Sequence, residues 1–223
     1  GDSKLLSDCY ENIKRYVNYV DRTSPNGLTS WGRGDWVPVK SHSSKELTSS
    51  VYFYVDTKIL ANAAKLFNKQ EDYEHYQALA EKIKNAINAK YLNRETGIYA
   101  SGVQTELSVP LMWGVVPENM KTKVARNLAK KVEEAGFHLD VGVLGAKAIL
   151  NALSENGEAE TAYKVAAQDT YPSWGCWIAN GATTLLENWD LNATRDISDN
   201  HMMFGEIGGW FYKGLGGIFP RSE

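Results

Sequence analysis

Two carboxylates stand beside tryptophan in segments rich in glycine and turn-forming residues, and no other residues in the chain are better placed for chemistry. Asp35 lies in Trp31-Gly32-Arg33-Gly34-Asp35-Trp36. Glu187 lies in Gly181-Ala182-Thr183-Thr184-Leu185-Leu186-Glu187-Asn188-Trp189, shortly after Trp174-Gly175-Cys176-Trp177. A carboxylate in a cleft walled by indole is partly desolvated, which raises its affinity for a proton and suits it to take one from water. Hydrolysis of a glycosidic bond needs two such groups flanking that bond. Aromatic rings suit sugars as well, because C–H faces stack on them while hydroxyls hydrogen-bond. With seven Trp, twelve Tyr and six Phe, the chain has such rings to spare. Each residue also has a plainer reading. Asp35 could form a turn or cap a helix, Glu187 could lie on a solvated helix face, and Trp36 and Trp177 could be packing residues.

Other chemistries lack their residues. His42, His75, His138 and His201 are scattered, and no His or Cys pair has ligand spacing, so no metal site is expected. There is no G-x-S-x-G elbow and no phosphate-cradling glycine loop, and Gly214-Leu215-Gly216-Gly217 reads as the end of a helix. No cofactor is implied. A net charge of −3 argues against nucleic acid, which demands clustered Lys and Arg. No apolar run approaches the roughly 20 residues of a membrane span, and the polar start Gly1-Asp2-Ser3-Lys4 does not read as a signal peptide. Cys9 and Cys176 are expected to be buried free thiols, which leaves the compartment open.

The elements that must position Asp35 and Glu187 are helical. An apolar fraction of 43% over 223 residues supports one large globular domain, residues 1–223. Leu5, Cys9, Ile13, Tyr16, Val17 and Val20 mark one helix face, ended by turn chemistry at Thr23-Ser24-Pro25-Asn26-Gly27. A long irregular segment, about 23–47, carries Asp35 and Trp36; loops of that length are usually functional. Helical spacing resumes at Val51, Tyr52, Val55, Ile59, Ala63 and Leu66, and again at Tyr73, Tyr76, Ala80, Ile83 and Ile87. Further helices are expected over Gln104–Trp113, after Pro117 on Met120, Val124, Leu128 and Val132, and at about 142–155 and 157–168. Thr170–Asn180 reads as a loop, followed by a helix carrying Thr183, Thr184, Glu187 and Trp189, a polar loop at 190–201 and a last helix from Phe204 to Leu215. Roughly nine helices in antiparallel pairs, without strand alternation, predict an all-α fold of the α/α-toroid kind.

Several ordered motifs carry a family resemblance. Pro172-Ser173-Trp174-Gly175, Gly181-Ala182-Thr183-Thr184 with Glu187 and Trp189, and Asn200-His201 with Phe204-Gly205 resemble the end of the catalytic barrel of bacterial α-L-rhamnosidases. Gly34-Asp35-Trp36, Gln104-Thr105 and the Gly114-to-Pro117 turn fall in the same order as in that family, so the resemblance covers almost the whole chain. It implies an (α/α)6 toroid that hydrolyses terminal α-L-rhamnosides, in glycosides or polysaccharides, with inversion. It also implies Glu187 as general base and Trp36 as a sugar contact, with Asp35, Trp174, Trp177 and His201 binding substrate in or near the pocket.

Two departures qualify this. The family usually has an aromatic residue just before the base, where this chain has Leu186. The family's acid-bearing Arg-Asp-Glu-Arg-x-Gly-Trp type segment is missing, and nine helices fall short of the twelve in a full toroid. The chain is therefore expected to be an incomplete toroid that pairs with upstream sequence of the same catalytic domain and lacks the general acid. Two other classes compete. One is a different α/α-toroid sugar enzyme, such as an unsaturated glucuronyl hydrolase or a polysaccharide lyase. The other is a non-catalytic carbohydrate-binding protein.

Overall fold

The computed structural model describes residues 3–219; Gly1 and Asp2, the first residues of the polar start read above, lie outside them. Among the described residues the fold is all-α, with nine α-helices and a pair of two-residue strands. No helix among them is long and apolar enough to cross a membrane. The chain packs as two compact units, Gly1–Arg33 with Lys45–Leu92 and Gly34–Ser44 with Asn93–Glu223.

The first unit holds α1 (Ser3–Thr23), α2 (Lys45–Leu66) and α3 (Gln70–Tyr91). α2 is buried on nearly every side, through Leu47, Val51, Phe53, Leu60 and Ala64. α3 buries the expected Tyr76, Ala80, Ile83 and Ile87. α1 departs from expectation. Its buried face runs through Tyr10, Val17 and Val20, while Leu5 is 67% and Tyr16 42% exposed. The reason is polar pinning: Tyr10 Oη and Lys14 Nζ donate to Asp72 at 2.7 Å, and Tyr76 Oη donates to Asn18 at 2.9 Å. These bonds set the rotation of α1 about its axis, which apolar spacing alone leaves loose. Cys9 is only half-buried; Cys176, in the second unit, is buried, and both are free thiols.

The second unit begins with the strap 34–44 and resumes at Asn93, in β1 (Leu92–Asn93), followed by β2 (Ile98–Tyr99). α4 (Gln104–Met112), α5 (Lys121–Glu134), α6 (Val143–Ser154) and α7 (Ala159–Ala166) match the expected spans closely. α5 buries Val124, Leu128 and Val132, whereas α6 is apolar and buried on most sides, against α4, α7 and a short α9 (Glu206–Trp210). Two expectations fail here. Residues 174–179 form a one-turn-and-a-half helix, α8 (Trp174–Ala179), instead of a loop; Ser173 Oγ caps it by accepting the Cys176 N–H at 3.0 Å. The helix expected around Glu187 is absent, and residues 182–201 are irregular.

Candidate active site

The N-terminal end of α6 organises the site. Asp35 sends its carboxylate against it: Oδ1 accepts the N–H groups of Leu144 at 2.7 Å and Gly145 at 3.2 Å. Oδ2 accepts the Gly142 N–H at 2.8 Å and the Thr105 hydroxyl at 2.5 Å. A carboxylate offers about four acceptor positions, so Asp35 has none to spare for a sugar hydroxyl. In the structure Asp35 acts as a helix cap, satisfying N–H groups that open α6. Burial pushes its carboxyl pKa up, and the four donated bonds pull the other way.

Trp36 follows directly and is half-buried; its backbone carbonyl accepts the Val143 N–H at 2.9 Å. This approach is so close that a Cβ on Gly142 would sit 2.2 Å from that carbonyl oxygen. Gly142 is glycine because the strap leaves no room for anything larger.

Glu187 lies on an irregular segment bonded to a returning one. Its N–H donates to Ser198 O at 2.9 Å, and its Oε2 accepts the Ser198 N–H at 3.2 Å. The His201 N–H donates to Leu185 O at 2.7 Å, and the Thr184 hydroxyl donates to Asp199 O. The local residues explain why no helix forms. Gly181 has φ +88°, and Asn188 and Asp190 accept backbone N–H groups two residues on. His201 Nδ1 stands 3.9 Å from Glu187 Oε1, with side chains 25% and 17% exposed. Both therefore reach solvent while held at their backbones.

The tryptophans expected to face sugar are core residues. Trp174 is 4% and Trp177 2% exposed. Trp177 stacks on Trp189 at 4.7 Å between centroids, and Trp174 meets Trp189 edge-on at 5.3 Å. Phe204 closes the group against Trp177 and Trp189. Each indole N–H is satisfied by backbone: Trp174 by Phe204 O, Trp177 by Trp189 O and Trp189 by Val141 O at 2.8 Å. With their rings buried and their N–H groups satisfied, Trp174 and Trp177 serve in this structure as anchors. They fix Trp189 and Phe204, which bracket the Glu187 and His201 segments.

Trp189 and Gly142 carry the connection that sequence reading did not assign. Val141 O holds Trp189, two residues after Glu187, while Gly142 and Val143 hold Asp35 and Trp36. Three consecutive residues thus bring together motifs about 150 positions apart. A glycine just before an apolar helix was the signal available for Gly142, and nothing in the sequence marked Val141. Among the remaining acids, Glu206 accepts Lys147 Nζ and Asn151 Nδ2, each at 3.1 Å, and serves as a pin between α6 and α9. No group of three or more His, Cys, Asp or Glu among the described residues could hold a metal ion.

Residues 1–215 match the model of the bacterial alpha-L-rhamnosidase 6 hairpin glycosidase domain. An alpha-L-rhamnosidase of Streptomyces avermitilis is 28% identical over 99% of this chain, which spans 22% of that protein. One from Formosa agariphila is likewise 28% identical, the chain spanning 25% of it. The solved alpha-L-rhamnosidase from Dictyoglumus thermophilum is 39% identical with a TM-score of 0.88, covering 96% of this chain and 25% of its own. The S. avermitilis structure, complexed with L-rhamnose, superposes with a TM-score of 0.92 over 100% of this chain and 22% of its own, at 28% identity.

Proposed function

The chain belongs to the bacterial alpha-L-rhamnosidase six-hairpin glycosidase domain family, and on that premise we propose that it forms the base-bearing part of an inverting α-L-rhamnosidase. Glu187 takes a proton from water as the water oxygen attacks the anomeric carbon of a terminal L-rhamnosyl group. The glycosidic C–O bond breaks as a second acid, on the opposite side of the sugar, protonates the leaving oxygen, and β-L-rhamnose is released. Trp36 lies against the sugar and His201 hydrogen-bonds it. The substrate is a rhamnose-containing glycoside or polysaccharide, consistent with the L-rhamnose bound in the S. avermitilis relative.

The observation that carries this reading is the placement of Glu187. Its carboxylate is aligned by Ser198 and open to solvent, on the segment that Trp189 ties to the residues holding Trp36. The acid is assigned to further polypeptide of the same enzyme, because Asp35 and Glu206 are engaged. Asp35 already accepts hydrogen bonds from four donors, and Glu206 is ion-paired with Lys147.

The test is turnover of an aryl α-L-rhamnoside by the purified chain, alone and mixed with the preceding segment of a relative. Silence alone and turnover on mixing are expected. Proton NMR of the first product should show the β anomer. The α anomer as first product, or robust turnover by the chain alone, would overturn the assignment.

A further inference from the structure

Trp36 sits on a strap, residues 34–44, without secondary structure of its own. Its backbone N–H groups therefore need partners from elsewhere; the carboxylates of Asp140 and Glu106 supply them at two points, and a third carboxylate, on the strap itself, accepts from α6. Asp35 fastens one end to α6, as described. Asp140 fastens the middle: Oδ1 accepts the N–H groups of Lys40 at 2.9 Å and Ser41 at 3.0 Å, and Oδ2 accepts the Ser41 hydroxyl at 2.6 Å. Glu106, 2% exposed, fastens the far end, with Oε1 accepting the Ser44 N–H at 2.8 Å. Its Oε2 accepts the N–H groups of Ser101 and Gly102 and the Ser101 hydroxyl, at 2.7–3.0 Å. Gln104 in turn orients Asp140, accepting its N–H at 2.8 Å and donating to His138 O at 3.1 Å.

What these clamps hold is strained. Val37, immediately after Trp36, has φ +54°, a conformation that a β-branched residue avoids. Such strain persists only where the surroundings over-determine it, and it gathers at functional sites. The clamps lie on both sides of Val37, at Asp35 and at Lys40–Ser41. A left-handed residue at this point turns the chain and sets the direction in which Trp36 leaves it.

We infer that Asp140 and Glu106 are positioning residues for Trp36, holding the strained turn at Val37 so that the indole stands ready for the sugar. The sugar part of this inference rests on the function proposed above; the clamp itself does not. Chemistry distinguishes the two carboxylates. An Asn at 140 still accepts both strap N–H groups through Oδ1, and its amide can donate to the Ser41 oxygen. A Gln at 106 cannot do the same, because whichever way its amide turns, at least one N–H of Ser44, Ser101 or Gly102 meets another donor.

The chain labelled with 5-fluorotryptophan tests this by fluorine NMR, with the Trp36 resonance assigned through Trp36→Phe and L-rhamnose titrated as ligand. Asp140→Ala and Glu106→Gln should each shift or broaden that resonance and weaken L-rhamnose about tenfold. Asp140→Asn should leave the resonance in place and the affinity within about twofold. Val37→Gly should broaden the resonance while raising the melting temperature, since the strain is relieved. If Asp140→Ala does not fold, Ser41→Ala takes its place, with a loss of about threefold. An unmoved Trp36 resonance in Asp140→Ala, or an Asn variant as impaired as the Ala variant, would overturn the inference. Absence of L-rhamnose binding by the unaltered chain would count against the proposed function instead, and the resonance comparison would still decide the clamp.

Discussion

His201 Nδ1 lies 3.9 Å from Glu187 Oε1, beyond hydrogen-bond reach, while the backbones on either side are bonded, His201 to Leu185 and Glu187 to Ser198. The pair is thus positioned by main chain and left apart at its side-chain ends. This leaves the Glu187 carboxylate one firm partner, the Ser198 N–H, and its other oxygen available for water.

Glu187→Gln should lower kcat on an aryl α-L-rhamnoside by about 10²–10⁴-fold, in enzyme that contains the acid, with KM changed little. The amide oxygen still accepts the Ser198 N–H, so the fold should survive, as circular dichroism would confirm. Equal kcat would remove Glu187 from the mechanism.

Trp189 is 1% exposed and its indole N–H is satisfied by Val141 O. Trp189→Phe leaves that carbonyl unpaired and should cost about 1–3 kcal/mol. Trp189→Ala also opens a cavity beside Trp177 and Phe204 and should cost about 3–5 kcal/mol. Urea denaturation of the chain measures both; equal midpoints for the two variants would show that ring packing contributes nothing here.

Asp35→Asn puts an amide donor against N–H groups that now point at an acceptor, at a cost of about 2–3 kcal/mol. Gly142→Ala should be at least as damaging, since its Cβ would lie 2.2 Å from Trp36 O. Because the two changes loosen the same contact, their effects should fall short of additive in a double-mutant cycle. Full additivity would show that Asp35 and Gly142 act separately.

Asp56, in the middle of α2, has its carboxyl pushed up to about 6 by burial. The folded chain then holds this proton more tightly than the unfolded one, whose pKa is near the ordinary 3.8. The stabilising contribution is complete below about 4 and is lost as the pH rises through about 6. Asp56→Asn should therefore raise the melting temperature at neutral pH and flatten its dependence between about pH 4 and 6. An unchanged slope in thermal melts across that range would contradict the assignment.

The sequence by itself determined the helical class, most helix spans and which residue types were fit for chemistry. The four-residue recurrence in α5 and the apolar runs of α2 and α6 reflect local geometry, which any burying partner satisfies. Glu187 and Trp36 stood out because carboxylates and indoles beside turn residues are uncommon company. Tertiary structure decided the rest, and the reason is the range of the contacts. Residues 185–187 are held out of a helix because their bonds go to Ser198 and His201, eleven to sixteen positions on, which local propensity does not register. Trp174 and Trp177 are anchors because Trp189 and Phe204 cover them, and α1 is rotated because Asp72 and Asn18 engage Tyr10, Lys14 and Tyr76. Asp35 became a helix cap because α6, more than 100 positions away, brings its unpaired N–H groups to it. Residue type told which groups can exchange protons or stack on sugars; only the long-range bonds told which of them are free to do so.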